Sequence, residues 1–424
     1  MFLVSRASKL KGRTTIPASK SHTIRAVAIS ALAEGKSVIE APLDSLDTLA
    51  AVRAYRAFGA GIDLATGRWE VQGVAGKPRT PKGEVDTANS GTTLYVAMGS
   101  AALADGRTVL TGDEQIQRRP VTNLSRALEQ LGAKAVSTRG NGCPPVEVRG
   151  VIRGGEASIE AITSQYVTSV LLAAPLGQGK TRLTVTKLNE APYVRMTLGW
   201  LAKQGIVLAH DEDLRKFEVS GGQRYKPVRA RVPADWSSAT FFLVAAAVTG
   251  SEITLTGLDP DDSQGDKAVA GMLAEMGAEV KHGKDGLTIR CRGLVGRELD
   301  LNATPDALPA LAVAGCFARG ETRLVNVPQA RVKETDRIAV MREELTKMGA
   351  EVEEREDGLV VRESRLAGTQ LNGHGDHRVV MALAVAGLAA EGETRIDTAE
   401  SVAVTFPSFV ELMRALGGEM GTEG

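Results

Sequence analysis

Six stretches of the chain are built almost wholly of Ala, Val, Leu and Ile over helical lengths: residues 25–33, 94–104, 167–176, 240–249, 308–318 and 379–390. A helix that is apolar on every side is buried on every side. Each stretch runs into a glycine and then into a short segment of the strand type: 37–40, 107–110, 181–185, 252–255, 321–325 and 393–396. These segments alternate, as in Thr181-Arg182-Leu183-Thr184-Val185, which predicts one wet and one dry face. A second, less apolar helix follows each strand and closes on another glycine.

The pattern keeps register. The first set of glycines falls at 35, 106, 179, 250, 320 and 392, spaced 71, 73, 71, 70 and 72 residues apart. The second set, at 59, 132, 205, 277, 349 and 417, has nearly the same period. Glycine is expected to stop these helices because it enters the left-handed conformation without a Cβ clash. A period near 71 exceeds the common solenoid repeats, so each copy is a small α/β unit. Buried helices with half-wet strands predict helices inside and sheets outside, an inside-out α/β barrel. One hydrophobic core does not comfortably serve 424 residues, so the copies are expected as two domains of three. Linker signals near Leu10-Lys11-Gly12-Arg13 and Lys226-Pro227-Val228-Arg229 place a continuous domain at 14–228 and a discontinuous one at 1–13 with 229–424. If the buried helices run parallel in each domain, their positive ends share a face, and a cleft between two such faces is an anion site.

Charge narrows the partners. Fifty-one basic residues balance fifty-one acidic ones, which gives no basic footprint for nucleic acid and no pull toward an anionic membrane. Cys143, Cys291 and Cys316 have neither metal nor redox spacing and suit a reducing cytoplasm. The opening residues lack a signal-peptide core, and no uninterrupted apolar run reaches membrane length. A cytoplasmic protein is expected.

The chemistry is expected at the helix mouths. These read Ser19-Lys20-Ser21-His22-Thr23-Ile24-Arg25, Asn89-Ser90-Gly91-Thr92, Thr163-Ser164-Gln165, Asp235-Trp236-Ser237-Ser238, Thr304-Pro305-Asp306 and Gly375-Asp376-His377-Arg378. Second helices add Arg119-Pro120, Pro192-Tyr193 and Arg331-Val332-Lys333-Glu334-Thr335-Asp336-Arg337. Ser, Thr, Asp and Asn before a helix are usually only caps, and the Asp235 mouth reads as plain capping. A Lys or Arg there opposes the helix dipole and has to be offset. Lys20, Arg25, Arg119, Lys333, Arg337 and Arg378 all stand at or near such starts, a pattern that suits a ligand with at least two anionic groups. Other signals are empty. Gly177-Gln178-Gly179-Lys180-Thr181 ends like a P-loop but lies between a helix and a strand, the wrong order. His374 and His377 lack further metal ligands.

Taken together, Ser19-Lys20-Ser21-x-x-x-Arg25, Asn89-x-Gly91-Thr92, Arg119-Pro120, Ser164-Gln165, Pro305-Asp306, the 331–337 heptapeptide and Asp376-His377-Arg378 resemble the 5-enolpyruvylshikimate-3-phosphate synthase family. The likeness runs from about Ser5 to Phe409. It implies two inside-out domains and transfer of the enolpyruvyl group of phosphoenolpyruvate to the 5-hydroxyl of shikimate 3-phosphate, in aromatic amino acid biosynthesis. It also implies a monomer, with no metal or organic cofactor. By the same resemblance Lys20, Ser21, Arg25, Thr163, Ser164, Gln165, Tyr193, Asp306, Gln329 and Lys333 hold shikimate 3-phosphate. Lys20, Gly91, Arg119, Gln165, Arg337, His377 and Arg378 hold phosphoenolpyruvate. Asp306 is the expected base for the 5-hydroxyl, and Glu334 and Lys20 handle the proton at the enol carbon and the departing phosphate.

Three positions depart from the family pattern. Tyr95 stands where many members carry Arg, and Val404 where some carry Lys, so the family inhibitor glyphosate is expected to bind weakly relative to substrate. Glu190 replaces the usual Ser before Pro192-Tyr193, an unwelcome charge near a phosphate, which either Lys187 or Arg195 compensates or a shifted helix mouth avoids. The nearest rival, a UDP-N-acetylglucosamine enolpyruvyl transferase, uses a loop Cys that Asp113-Glu114-Gln115-Ile116 lacks. A non-catalytic anion-binding scaffold would carry interchangeable mouths, and these differ.

Overall fold

The six apolar stretches are the helices Lys20–Leu32, Gly91–Ala101, Ser164–Ala173, Trp236–Val248, Leu308–Cys316 and His377–Gly387. Every residue of Gly91–Ala101, Leu308–Cys316 and His377–Gly387 is buried. All but the fifth begin two to five residues before the apolar run. The reason is local: Ser19, Ser90, Thr163, Asp235 and Asp376 each accept a first-turn backbone N–H, so the polar mouth is itself helical. The fifth has no such cap and is entered through the 3₁₀ turn Pro305–Ala307.

The computed structural model describes residues Met1–Gly424. Their contacts form two units, Ala18–Val232 and Met1–Pro17 with Pro233–Gly424. Each unit has its own apolar core and three four-stranded sheets. In each four-stranded sheet the strand leading out of the buried helix, for example Thr181–Leu188, takes a parallel neighbour on one side and an antiparallel one on the other. Gly155–Ala161 and Lys216–Val219 fill these places for Thr181–Leu188. Its alternate residues Thr181, Leu183 and Val185 are buried while Arg182 and Thr184 are exposed. Sheets outside and helices inside give the inside-out α/β fold.

The stretches that resemble linkers in the sequence are strands. Lys11–Thr15 pairs in parallel with Glu252–Thr256, and Arg229–Arg231 pairs in parallel with Lys36–Glu40. The chain therefore changes unit just after each strand, at 17/18 and 232/233. The two ends of the chain also share a sheet, with Phe2–Arg6 antiparallel to Glu419–Glu423.

The second set of glycines is left-handed throughout, with φ between 71° and 109°. The first set divides. Gly35, Gly250, Gly320 and Gly392 are left-handed, but Gly106 and Gly179 are not. A Cβ at Gly106 would stand 2.2 Å from Thr80 Oγ1, and one at Gly179 would stand 2.4 Å from the Arg153 carbonyl. Close approach, not helix termination, requires glycine at those two positions. The three cysteines are free thiols, and no helix is long and apolar enough to cross a membrane.

Candidate active site

In the unit Ala18–Val232 the mouths touch one another. Gln165, in the first turn of its helix, donates from Nε2 to Thr92 Oγ1 in the first turn of another (2.9 Å). Lys20 Nζ lies 3.1 Å from the buried Asp47 carboxylate, and the Asp47 carbonyl accepts from Thr93 (3.5 Å). Touching first turns mean that these helices present their N–H ends together, which makes one anion-favouring patch.

Arg25 is buried beneath this patch. Its guanidinium donates to Thr197 Oγ1 (3.0 Å), Thr168 Oγ1 (3.2 Å) and the carbonyls of Ser21 (3.0 Å) and Tyr193 (3.1 Å). Burial pulls its pKa down to about 10, against the opposing pull of Tyr193 and Glu190. Arg119 is also buried, and its guanidinium lies over Gly91, where a Cβ would come within 2.2 Å of Nη1. Gly91 therefore makes room for an arginine. The hydroxyls of Tyr95 (3.3 Å) and Tyr166 (2.5 Å) both donate to the Pro120 carbonyl, beside Arg119. Tyr95 thus fills its place as a packed aromatic whose hydroxyl burial pushes up to about 12.

Thr163 and Ser164 turn their hydroxyls onto Glu190 Oε2 (3.0 and 2.7 Å). Neither residue proposed to offset Glu190 reaches it as a compensating cation: Lys187 and Arg195 are exposed, and Arg195 donates to the Glu212 carbonyl (3.3 Å).

In the unit Met1–Pro17 with Pro233–Gly424 the mouths meet on Arg337, whose side chain is 0% exposed. It donates to Asp376 Oδ2 (2.8 Å), Asp306 Oδ1 (2.7 Å) and Glu334 Oε2 (2.5 Å). Arg378 reaches the other Asp306 oxygen (3.0 Å) and Ser237 Oγ (2.8 Å). The Asp235 mouth is therefore more than a cap, because its Ser237 holds Arg378. Within the heptapeptide, Arg331 and Asp336 are structural: Arg331 pairs with Asp336 and Glu354, and Asp336 caps its helix on Ala339 N. Gln329 is buried and donates to the Asn302 carbonyl (3.0 Å).

In this cluster Arg337, Arg378 and Lys333 face Asp306, Glu334 and Asp376, and the buried Asp266 also acts on Arg378. The sequence reading left the cations at the mouths to be offset by ligand; carboxylates from neighbouring mouths offset them here. Burial alone would raise the Asp306 carboxyl, but Arg378, Lys333 and Arg337 outweigh it and hold it well below the usual range. His377, 1% exposed, is pulled by burial down to about 3 and is neutral at physiological pH. His374 has a partner that its sequence context does not show. Its Nε2 lies 2.8 Å from Glu344, whose oxygens also take Lys347 (2.7 Å) and the Asn372 N–H (3.0 Å). One carboxylate oxygen each of Glu343 and Glu344 and a ring nitrogen of His374 lie within 4.8 Å of one another, and the bonds of Glu344 brace the loop that carries Asp376.

Sequence reasoning missed Asp376 as the hub of its cluster, Ser237 as a partner of Arg378, and Asp47, Thr168 and Thr197 as supports of Lys20 and Arg25. The only signal for Asp376 is its place in the Asp-His-Arg motif.

Residues 4–413 match the family described as EPSP synthase (3-phosphoshikimate 1-carboxyvinyltransferase). The chain is 54% identical to the 3-phosphoshikimate 1-carboxyvinyltransferase of Acetivibrio thermocellus over 424 residues, covering 100% of both proteins. It is 44% identical to that of Methanocella arvoryzae, covering 99% of this chain and 100% of the relative. Among solved structures it is similar to an EPSP synthase from Acinetobacter baumannii, with a TM-score of 0.82, 28% identity and full coverage of both chains.

Proposed function

The chain belongs to the EPSP synthase family, and from that premise we propose how its own residues perform the transfer. It is an enolpyruvyl transferase of the shikimate pathway. Phosphoenolpyruvate gives its enolpyruvyl group to the 5-hydroxyl of shikimate 3-phosphate, and phosphate leaves by addition and elimination. The observation that carries the residue assignment is the gathering of the mouths into two clusters, each with cations and carboxylates on touching first turns.

Lys20, Ser21, Arg25, Thr163, Ser164, Gln165 and Tyr193 hold shikimate 3-phosphate, together with Asp306, Gln329 and Lys333. Phosphoenolpyruvate is held by Lys20, Gly91, Arg119, Gln165, Arg337, His377 and Arg378. Both substrates are anions, so cations must cancel their repulsion while orientation converts two molecules into one reacting pair. Neutral His377 contributes hydrogen bonding without charge.

Asp306 takes the proton of the 5-hydroxyl as that oxygen attacks the enol carbon, and the methylene is protonated to a methyl by Glu334 or Lys20. In the elimination a methyl proton returns to that group as the C–O bond to phosphate breaks and the enol double bond re-forms. With these partners Asp306 is a poor base, because two guanidiniums and Lys333 stabilise its anion. An anionic substrate that draws Arg337 and Arg378 toward itself weakens that stabilisation and makes Asp306 more basic. The base is strengthened when there is something to deprotonate. The two units, separated at the boundaries given above, act as a monomer in the cytoplasm.

The test is phosphate release from phosphoenolpyruvate in the presence of shikimate 3-phosphate, with UDP-N-acetylglucosamine as control. Release with the shikimate substrate alone, lost in Lys20→Ala and Asp306→Ala, is the expected result. Release with the nucleotide sugar, or full activity in both variants, overturns it.

A further inference from the structure

One oxygen of Glu190 collects three donors. Its Oε2 accepts from Thr163 Oγ1 (3.0 Å), Ser164 Oγ (2.7 Å) and the Ser164 backbone N–H (3.1 Å) at the start of the helix Ser164–Ala173. Two hydroxyls and a helix-terminal N–H form the donor set that suits a phosphate oxygen.

Capping does not account for the arrangement. The helix Ser164–Ala173 already has Thr163, whose Oγ1 accepts from Gln165 N (3.4 Å). Glu190 itself precedes the helix Ala191–Lys203, yet its side chain makes no cap bond there. Its backbone is left-handed, at φ 59°, a conformation that costs free energy for a residue with a Cβ. The residue is 3% exposed, and its charge acts on Arg25. A strained backbone therefore delivers a buried carboxylate to the donors of another helix.

We propose that Glu190 determines affinity and specificity for the acceptor's phosphate by occupying the seat that this phosphate must take. The inference rests on the assignment of Thr163 and Ser164 to shikimate 3-phosphate. A carboxylate and a phosphate dianion cannot share three donors, so the acceptor binds only as Glu190 swings out. Glu190 is an internal competing anion, which taxes binding of the phosphorylated acceptor and not of its unphosphorylated form.

Glu190→Gln keeps the size and one acceptor oxygen but removes the charge, and Glu190→Gly tolerates the left-handed backbone. Calorimetric titration of the full chain with inorganic phosphate, shikimate 3-phosphate and shikimate, beside steady-state kinetics, separates the outcomes. Losing a charge-assisted contact to a competitor is expected to tighten phosphate and shikimate 3-phosphate by about tenfold. Binding of shikimate should hardly move, and the kinetic effect should fall on KM for the acceptor more than on kcat. Unchanged or weaker phosphate binding in Glu190→Gln, or in Glu190→Gly should Glu190→Gln not fold, overturns the inference and leaves Glu190 a structural brace. Equal tightening of shikimate also overturns it. If the wild type fails to release phosphate but Glu190→Gln binds inorganic phosphate more tightly, the proposed reaction falls and the role of Glu190 stands.

Discussion

Arg337 and Asp376 form a fork-to-fork ion pair with both side chains 0% exposed: Nε lies 2.8 Å from Oδ2 and Nη2 lies 3.1 Å from Oδ1. Thr335 Oγ1 and the Arg378 N–H add bonds to the same carboxylate (3.0 and 2.9 Å). The pair ties the mouth of one helix to the mouth of another, so it orders the candidate site as well as the fold.

Breaking the pair from either side should be costly. Removing one member of a buried pair leaves an uncompensated charge, worth about 3–5 kcal/mol. Arg337→Met and Asp376→Asn are expected to lower the unfolding free energy obtained from urea titration by that margin. Burial favours the neutral Asp376, but Arg337 outweighs it and lowers the pKa. The pair's contribution is therefore complete above the unfolded pKa of about 3.9 and disappears as pH falls through the lower native value. The wild-type advantage over Asp376→Asn should be constant from pH 7 to 5 and shrink below pH 4. An advantage unchanged in strong acid would rule out an ionic origin.

His377 should act in the same direction over a different window. Its native pKa is about 3, against about 6.5 unfolded. Between these values the unfolded chain binds a proton that the native one does not, so stability falls as pH drops from 6.5 to 3. His377→Gln should remove that slope. Imidazole NMR shifts in the native protein are expected to stay those of the neutral ring at pH 5; a midpoint near 6.5 would contradict the burial argument.

Gly91→Ala places a methyl group where Nη1 of Arg119 stands, at 2.2 Å. Arg119 must move. With Arg119 assigned to phosphoenolpyruvate, the variant should raise KM for that substrate about tenfold, the worth of one charged hydrogen bond. KM for shikimate 3-phosphate should change much less. Equal rises in both would mean that the methyl disturbs the helix and not the guanidinium.

Asp306→Asn keeps the side-chain shape but cannot take a proton. Loss of a general base is expected to reduce kcat by roughly 10²–10⁴-fold, with a smaller change in KM for shikimate 3-phosphate. A fall in affinity with kcat intact would assign Asp306 to binding alone.

The repeat, the buried helices and the half-wet strands were legible in the sequence because each depends on residues within one element. Apolarity around the whole of 308–318 admits only a buried helix, and Thr181 to Val185 alternates plainly. Lys11–Thr15 was not legible as a strand. It is short and polar, and its partner Glu252–Thr256 lies far along the chain. The candidate site divides in the same way. Motif residues could be named, but the carboxylates that neutralise Arg337 come from three different mouths, and no local pattern pairs Asp306 or Asp376 with it. Glu190 was visible as a misplaced charge, while its aim, onto Thr163 and Ser164 rather than toward Lys187 or Arg195, depends on a left-handed backbone that sequence does not disclose.

The strand Lys11–Thr15 sets a timetable for synthesis. It is synthesised before its place in a sheet exists, because Glu252–Thr256 is made later in the chain, a delay of roughly 10–50 s at common elongation rates. Phe2–Arg6 waits longer, for Glu393–Ile396 and Glu419–Glu423. The unit Ala18–Val232 is meanwhile complete once Arg229–Arg231 has joined Lys36–Glu40. Two strands made before the unit Ala18–Val232 are thus placed only after it, and the nascent chain carries them unpaired past a finished domain.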